Sequence, residues 1–300
     1  MKMLQTAGIH HITAIVNDPQ RNIDFYTTVL NLRLIKKTIN FDRPEVYHFY
    51  FGNDTGDPGT IITFFPWPSL PKGRIGTSQV GVSSFAVAPG SLSFWKNRLA
   101  QFNIQFIESH RFNEKSIQFT DPDGLILEIT ERKGLLHNNS REIQGFAGAT
   151  LFSAQPNKTA DVLENMLGME CIGQEGKYLR FKASGNLGQI IDIKLSPTVR
   201  GLAGAGTVHH IAWRAKNQQQ HQQWQEVLTA KEYFPTEILE RKYFKALYFQ
   251  DGGGIQFEIA TDEPGFTIDE EIEHLGEKLM LPTWMEGRRN KLEKNLPKLS

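Results

Sequence analysis

Apolar and polar positions along this chain repeat one order four times. In GIHHITAIVNDPQRNIDFYTTVLNLRLI (residues 8–35) the first nine residues alternate as a strand. Asn-Asp-Pro-Gln then forms a polar turn able to start a helix, and Ile23, Phe25, Tyr26, Val29 and Leu30 recur at helical spacing. VYHFYFG (46–52) and GTIITFF (59–65) follow as strands, with the turn signal NDTGDPG between them. The same succession appears in VGVSSFAVAPGSLSFWKNRLAQFNIQFI with SIQFTDPDGLILEIT. It recurs in GFAGATLFSAQPNKTADVLENMLGMECI with KYLRFKA and GQIIDIKL, and again in TVHHIAWRAKNQQQHQQWQEVLTA with YFKALYFQDGGGIQFEIA.

Each unit, at roughly 55 residues, is too small to bury a sheet face by itself, so the units are expected to pair. The expected fold class is α+β: four βαβββ units pairing into two cupped, barrel-like mixed sheets with helices outside. The polar stretch ERKGLLHNNSREIQG (131–145) is the candidate linker. It divides an N-terminal pair of units (1–135) from a C-terminal pair (145–263), followed by a tail (264–300). The tail is expected to form two helices, with Ile272, Leu275 and Leu279 as an apolar stripe that covers a sheet edge or closes the mouth of a cup. This order of units is similar to the vicinal-oxygen-chelate superfamily, which includes glyoxalase I, bleomycin- and fosfomycin-resistance proteins and extradiol ring-cleaving dioxygenases. Unit order alone does not choose among their activities.

Two of the four first strands carry a doubled histidine, GIHHIT and TVHHIA. Overlaying the units puts His11 in the slot of Ser84, Gly148 and His210. Overlaying the last strands puts Glu258 in the slot of Glu128, Asp192 and either Thr63 or Phe64. Only units one and four offer imidazoles, and only unit four adds a carboxylate to one. If those two units share a cup, His11, His210 and Glu258 converge, and two imidazoles with one carboxylate form the ligand set of non-haem Fe(II) oxygenases. Glu128 has no imidazole partners and is expected to be structural or a relic of duplication, its loss leaving metal and activity in place and costing at most modest stability.

The fourth unit, ERKYFKALYFQDGGGIQFEIATDEPGF (240–266), with HLGEKLMLP, MEGRR and GIHHIT, resembles the hydroquinone-cleaving group of extradiol-type dioxygenases. The resemblance implies His11, His210 and Glu258 as metal ligands, Arg241 as a cation near the reacting oxygens and Tyr248 as a proton donor or relay. His10 and Thr13 are also implied near substrate or oxygen, although strict strand alternation turns His10 away from His11 unless a bulge intervenes. The implied activity is ring cleavage of hydroquinones or related dihydroxyaromatics by O2 with Fe(II), and Mn(II) accepts the same ligands. Two rival expectations share the fold: a glyoxalase-type lyase or isomerase, whose ligand set is richer in carboxylate, and a non-catalytic small-molecule binding protein. The partners expected are a small aromatic substrate and O2, and the sequence is compatible with a homo-oligomer.

Bulk properties narrow the alternatives. Lys plus Arg and Asp plus Glu number 33 each, so no net charge points to nucleic acid or anionic lipid. The single cysteine, Cys171, excludes an internal disulfide and is expected to be a packed small residue. No apolar run approaches the ~18 residues of a membrane span, so a cytoplasmic location is expected. His221, within NQQQHQQWQE, is expected on a solvated helix face, and His209 is expected to point away from His210.

Overall fold

The computed structural model describes residues 4–135 and 141–300, so the middle of the candidate linker (136–140) lies outside the described residues. Unit one folds as β1 (Ile9–Val16), a helix over Pro19–Asp24 running into a π turn, β2 (Arg33–Ile39), β3 (Tyr47–Gly52) and β4 (Ile61–Pro66). The helix starts where the turn signal stands: the Asp18 side chain accepts from the Arg21 N–H, and Pro19 takes the first helical position. Unit two supplies β5 (Gln79–Val87), β6 (Phe106–Arg111), β7 (Glu114–Thr120) and β8 (Ile126–Glu131). Unit three supplies β9 (Phe146–Phe152), β10 (Glu170–Glu175), β11 (Tyr178–Lys182) and β12 (Ile190–Lys194). Unit four supplies β13 (Thr207–Ala215), β14 (Leu239–Glu240), β15 (Phe244–Gln250) and β16 (Gln256–Pro264).

The strands form two curled eight-stranded mixed sheets, ordered β14-β15-β16-β13-β1-β4-β3-β2 and β10-β11-β12-β9-β5-β8-β7-β6. Each sheet is two units joined through their first strands, and both seams are antiparallel. Unit one joins unit four, and unit two joins unit three. The division at residues 131–145 is therefore one of sequence, and each sheet draws a unit from either side of it. The helices lie on the outer faces, where Leu92, Trp95 and Leu99 of one and Trp224 and Leu228 of another are buried.

Three local expectations change. His221 is fully buried, sharing a helix face with Trp224 and Leu228, and its Nε2 donates to the Ile259 carbonyl at 2.8 Å. The i, i+3, i+7 spacing of these three was visible among the glutamines, whose polarity masked it. Cys171 is exposed because β10 is an edge strand with solvent-facing positions. The tail does form two short helices, Thr283–Glu286 and Arg289–Asn295, but Ile272, Leu275 and Leu279 precede them. Leu275 is buried while Ile272 is exposed. The tail covers the β2 edge, where Leu279 bridges to Lys37 and the Met280 N–H donates to the Lys37 carbonyl. Beside it the buried Lys36 ammonium pairs with Asp269 and Glu270 of the tail. No helix among the described residues is long and apolar enough to cross a membrane.

Candidate metal centre and its cavity

The seam between β1 and β13 brings the two doubled histidines together. His11 Nε2 and His210 Nε2 lie 3.3 Å apart, and Glu258 Oε2 stands 3.5 Å and 2.9 Å from them. All three residues are buried, and their candidate ligand atoms lie within 4.8 Å of one another. Burial alone would raise the Glu258 pKa, but a proton held on His11 or His210 outweighs it and keeps the carboxyl well below its usual range. Burial pulls the His210 pKa down, which favours the neutral ring.

The pairing register explains why each histidine is doubled. Ile9 pairs with Trp213 and His11 with Ala212, so His10 is an extra residue in β1. Thr13 pairs with His210 and Ala14 with Val208, so His209 is an extra residue in β13. Each is a β-bulge, and each turns its imidazole toward its neighbour instead of across the sheet. The Nδ1 atoms of His10 and His11 meet at 2.9 Å, and those of His209 and His210 at 2.8 Å. When His10 holds its hydrogen on Nε2, its Nδ1 accepts, and His11 then carries hydrogen on Nδ1 and a lone pair on Nε2, the form a metal ligand needs. With the same tautomer in His210, two nitrogen lone pairs and an anionic carboxylate point at one another. Both Glu258 oxygens are buried without a hydrogen-bond partner, so the 2.9 Å approach to His210 is a contact that lacks a donor. Crowded acceptors with no shared proton are what a cation satisfies, and imidazole with carboxylate suits a divalent first-row metal.

His11 and His210 line a cavity of about 340 Å³, with Glu258 buried behind them. Phe41, Phe65, Trp67 and Phe244 contribute its apolar walls, and His48, His209, Arg241 and Tyr248 its polar ones. Arg241 donates to Asp42 across the mouth at 3.0 Å and lies 5.6 Å from the centre of the Tyr248 ring. Asp42 is thus its ion partner. Tyr248 pairs with Glu258 across β15 and β16. Burial, then the Glu258 charge, pushes the Tyr248 hydroxyl well above its ordinary pKa, with Arg241 opposing, so it holds its proton. Thr13 is buried on the His11 face and its hydroxyl meets that of Thr63 at 2.9 Å.

A model of the Glyoxalase/Bleomycin resistance protein/Dioxygenase superfamily matches residues 8–129 and 145–259. The chain belongs to that superfamily. A relative from Bacillus subtilis (strain 168), named "Putative ring-cleaving dioxygenase MhqO", is 51% identical over 97% of this chain and 96% of its own. The "Chlorohydroquinone/hydroquinone 1,2-dioxygenase" of Sphingobium indicum is 30% identical over 95% of this chain and 94% of its own. The crystal structure of a "putative dioxygenase" from Bacillus subtilis has a TM-score of 0.96 at 50% identity, covering 99% of this chain and 98% of that one.

Within this superfamily fold the second sheet repeats the slots of the first with different chemistry. Thr13 pairs with Thr63 and His210, whereas Ser84 pairs with Glu128 and Gly148. Ser84 is therefore the counterpart of Thr13, and the counterpart of His11 is Val82, two residues from the expected position. The same registers select Thr63, not Phe64, as the counterpart of Glu258. Gly148 holds the slot of His210, and a Cβ there would lie 1.8 Å from the Ile190 carbonyl oxygen, so no side chain fits. In place of a metal this cup holds guanidinium groups. Arg111 donates to both oxygens of Glu128 at 2.8 Å and to Asp192 at 2.9 Å, and Arg180 grips Asp192 and Glu114. Glu128→Ala removes both Glu128 bonds from a largely buried Arg111 and leaves it only Asp192, so we expect a loss of about 3 kcal/mol in urea unfolding, not a small one, with metal content unchanged. Loss of metal would place the metal in the wrong cup.

His48, Asp42 and Tyr50 were missed by sequence reasoning as members of the cavity, and His209 faces it despite strict alternation. For His48 and Tyr50 the available signal was the alternation of VYHFYFG, which puts both on one face.

Proposed function

We propose that this protein is a non-haem Fe(II)-dependent dioxygenase that cleaves the ring of hydroquinones or related dihydroxyaromatics with O2. The observation that carries the reading is the buried His11–His210–Glu258 cluster opening onto an aromatic-walled cavity. The names of the relatives at 51% and 30% identity support the same reaction class. Fe(II) held by these three residues would supply open positions for a phenolate oxygen and O2 and exchange electrons between them.

The remaining work falls to the chain. Phe41, Phe65, Trp67 and Phe244 hold a ring by its faces and exclude water. Thr63, in the unit-one slot that corresponds to Glu258, offers a hydroxyl where a second carboxylate would add a ligand. Arg241, held by Asp42, places a fixed cation where oxygen gains negative charge. Tyr248 keeps a proton at its Oη for an oxyanion that needs one.

The test is metal analysis after anaerobic purification, then oxygen uptake over a panel of hydroquinones and catechols. We expect iron near one per chain and an open-chain unsaturated product from a hydroquinone. Absence of oxygen uptake, together with isomerisation of the thiol adduct of an aldehyde, would replace this reading with the glyoxalase-type one.

A further inference from the structure

The cavity wall contains a string of hydrogen-bonding groups that neither ligates the triad nor joins the Arg241–Tyr248 pair. The Tyr50 hydroxyl lies 2.9 Å from His48 Nδ1. His48 Nε2 lies 2.8 Å from the Thr63 hydroxyl, which lies 2.9 Å from that of Thr13. Tyr50, Thr63 and Thr13 are buried, and Tyr50 and His48 line the cavity. Thr13 stands opposite His210 in the strand pairing and shares a face with His11. One end of the string therefore lies at the metal face and the other in the wall of the same cavity.

Counting hydrogens shows what such a string does. Neutral Tyr50, His48, Thr63 and Thr13 carry four polar hydrogens on their side chains, and three links consume three of them. One hydrogen is always left over. If Tyr50 donates to Nδ1, then Nε2–H donates to Thr63 and Thr63 to Thr13, and the free hydrogen is on Thr13. If Thr13 donates to Thr63 and Thr63 to Nε2, then Nδ1–H donates to Tyr50, and the free hydrogen is on Tyr50. The two states differ only by one shift along each link and by the tautomer of His48. Burial keeps His48 well below its ordinary pKa, so the ring is neutral and both tautomers are available.

We propose that Tyr50, His48, Thr63 and Thr13 form a reversible proton relay joining the metal face to the cavity wall at Tyr50. The proposal rests on the ring-cleaving reading for its purpose. A hydroquinone loses a hydroxyl proton on becoming a phenolate, and its second hydroxyl lies across the ring. A proton accepted at one end shifts each hydrogen by one bond and releases a proton at the other, so charge is conserved and no water need enter. The late slot explains the choice of Thr63: a carboxylate there, as in unit four, would add a ligand and break the string, whereas a hydroxyl both accepts and donates. His48, Thr63 and Tyr50 are positioning and relaying groups here, not ligands.

The test uses the full chain loaded with diamagnetic Zn(II) and labelled with 15N-histidine, in which two-bond 1H–15N couplings report the tautomer of each ring. Wild type should show His48 exchanging between tautomers. Tyr50→Phe, which keeps the ring packing and removes one hydroxyl, should lock His48 with hydrogen on Nε2. In the Fe(II) form, Tyr50→Phe and His48→Phe should keep iron and KM but lower kcat by about tenfold or more and abolish the solvent deuterium effect. Thr63→Ser should restore wild-type behaviour where Thr63→Val does not. Unchanged His48 tautomers in Tyr50→Phe, or an unchanged kcat in both variants of an active enzyme, overturns the relay. If wild type consumes no oxygen with any hydroquinone, the ring-cleaving reading fails, and the tautomer spectra still decide whether the string inverts.

Discussion

His11→Ala, His210→Ala and Glu258→Ala should each purify folded and almost free of iron. Three ligands are the smallest set that leaves room for both substrate oxygen and O2 while holding the metal, so no single loss is compensated. Removing a partner that only orients a ligand typically lowers metal affinity by about 10- to 100-fold, and loss of a ligand should exceed that. His10→Phe and His209→Phe therefore form the natural controls: they keep the ligands, remove the Nδ1 contacts at 2.9 Å and 2.8 Å, and should fall within that smaller range. Folding should survive because each substitution relieves crowding among acceptors, and Glu258 has no hydrogen bond to lose. Iron per chain after anaerobic purification, set beside thermal unfolding, decides the matter. Full iron occupancy in any one of the three alanine variants removes that residue from the ligand set.

Arg241→Ala and Tyr248→Phe should show the opposite pattern, with iron retained and turnover of hydroquinone lowered by about a hundredfold or more. A catechol offers a metal two adjacent oxygens, but a hydroquinone offers one, so its orientation depends on the protein around it. Arg241 is well placed for this role because Asp42 fixes it across the cavity mouth and the Tyr248 ring lies against it. Asp42 is largely exposed, so Asp42→Asn should weaken the effect of Arg241 without abolishing it. Single-turnover rates at saturating hydroquinone, measured with iron content, separate this from loss of metal. Rates within about tenfold of wild type in both variants would mean that the pair does not act on the reacting oxygens.

Much of the architecture and the triad was legible before any coordinates. Strand alternation, helical spacing and the Asn-Asp-Pro-Gln start are local signals, because a side chain's direction follows from its own backbone period. Four recurrences of those signals identified the units, and comparing them slot by slot singled out His11, His210 and Glu258 from nine histidines and many acidic residues. Other features depended on which strand lies beside which, and with what offset. The antiparallel seam between β1 and β13 places the bulges, and they turn His10 and His209 into partners of His11 and His210. A bulge is a mismatch between two strands, so neither strand's own pattern contains it. The register likewise moved the counterpart of His11 from Ser84 to Val82, a two-residue shift that leaves alternation intact and is therefore invisible to it. Arg111 lies 17 residues from Glu128 and 81 from Asp192, so the closed charge cluster that fills the second cup exists only once three strands meet. The order of elements and the candidate ligands were local properties of the chain. Their convergence, the proton string behind them and the silence of the second cup were decided by long-range strand pairing, since those depend on distances of about 3 Å between groups far apart in sequence.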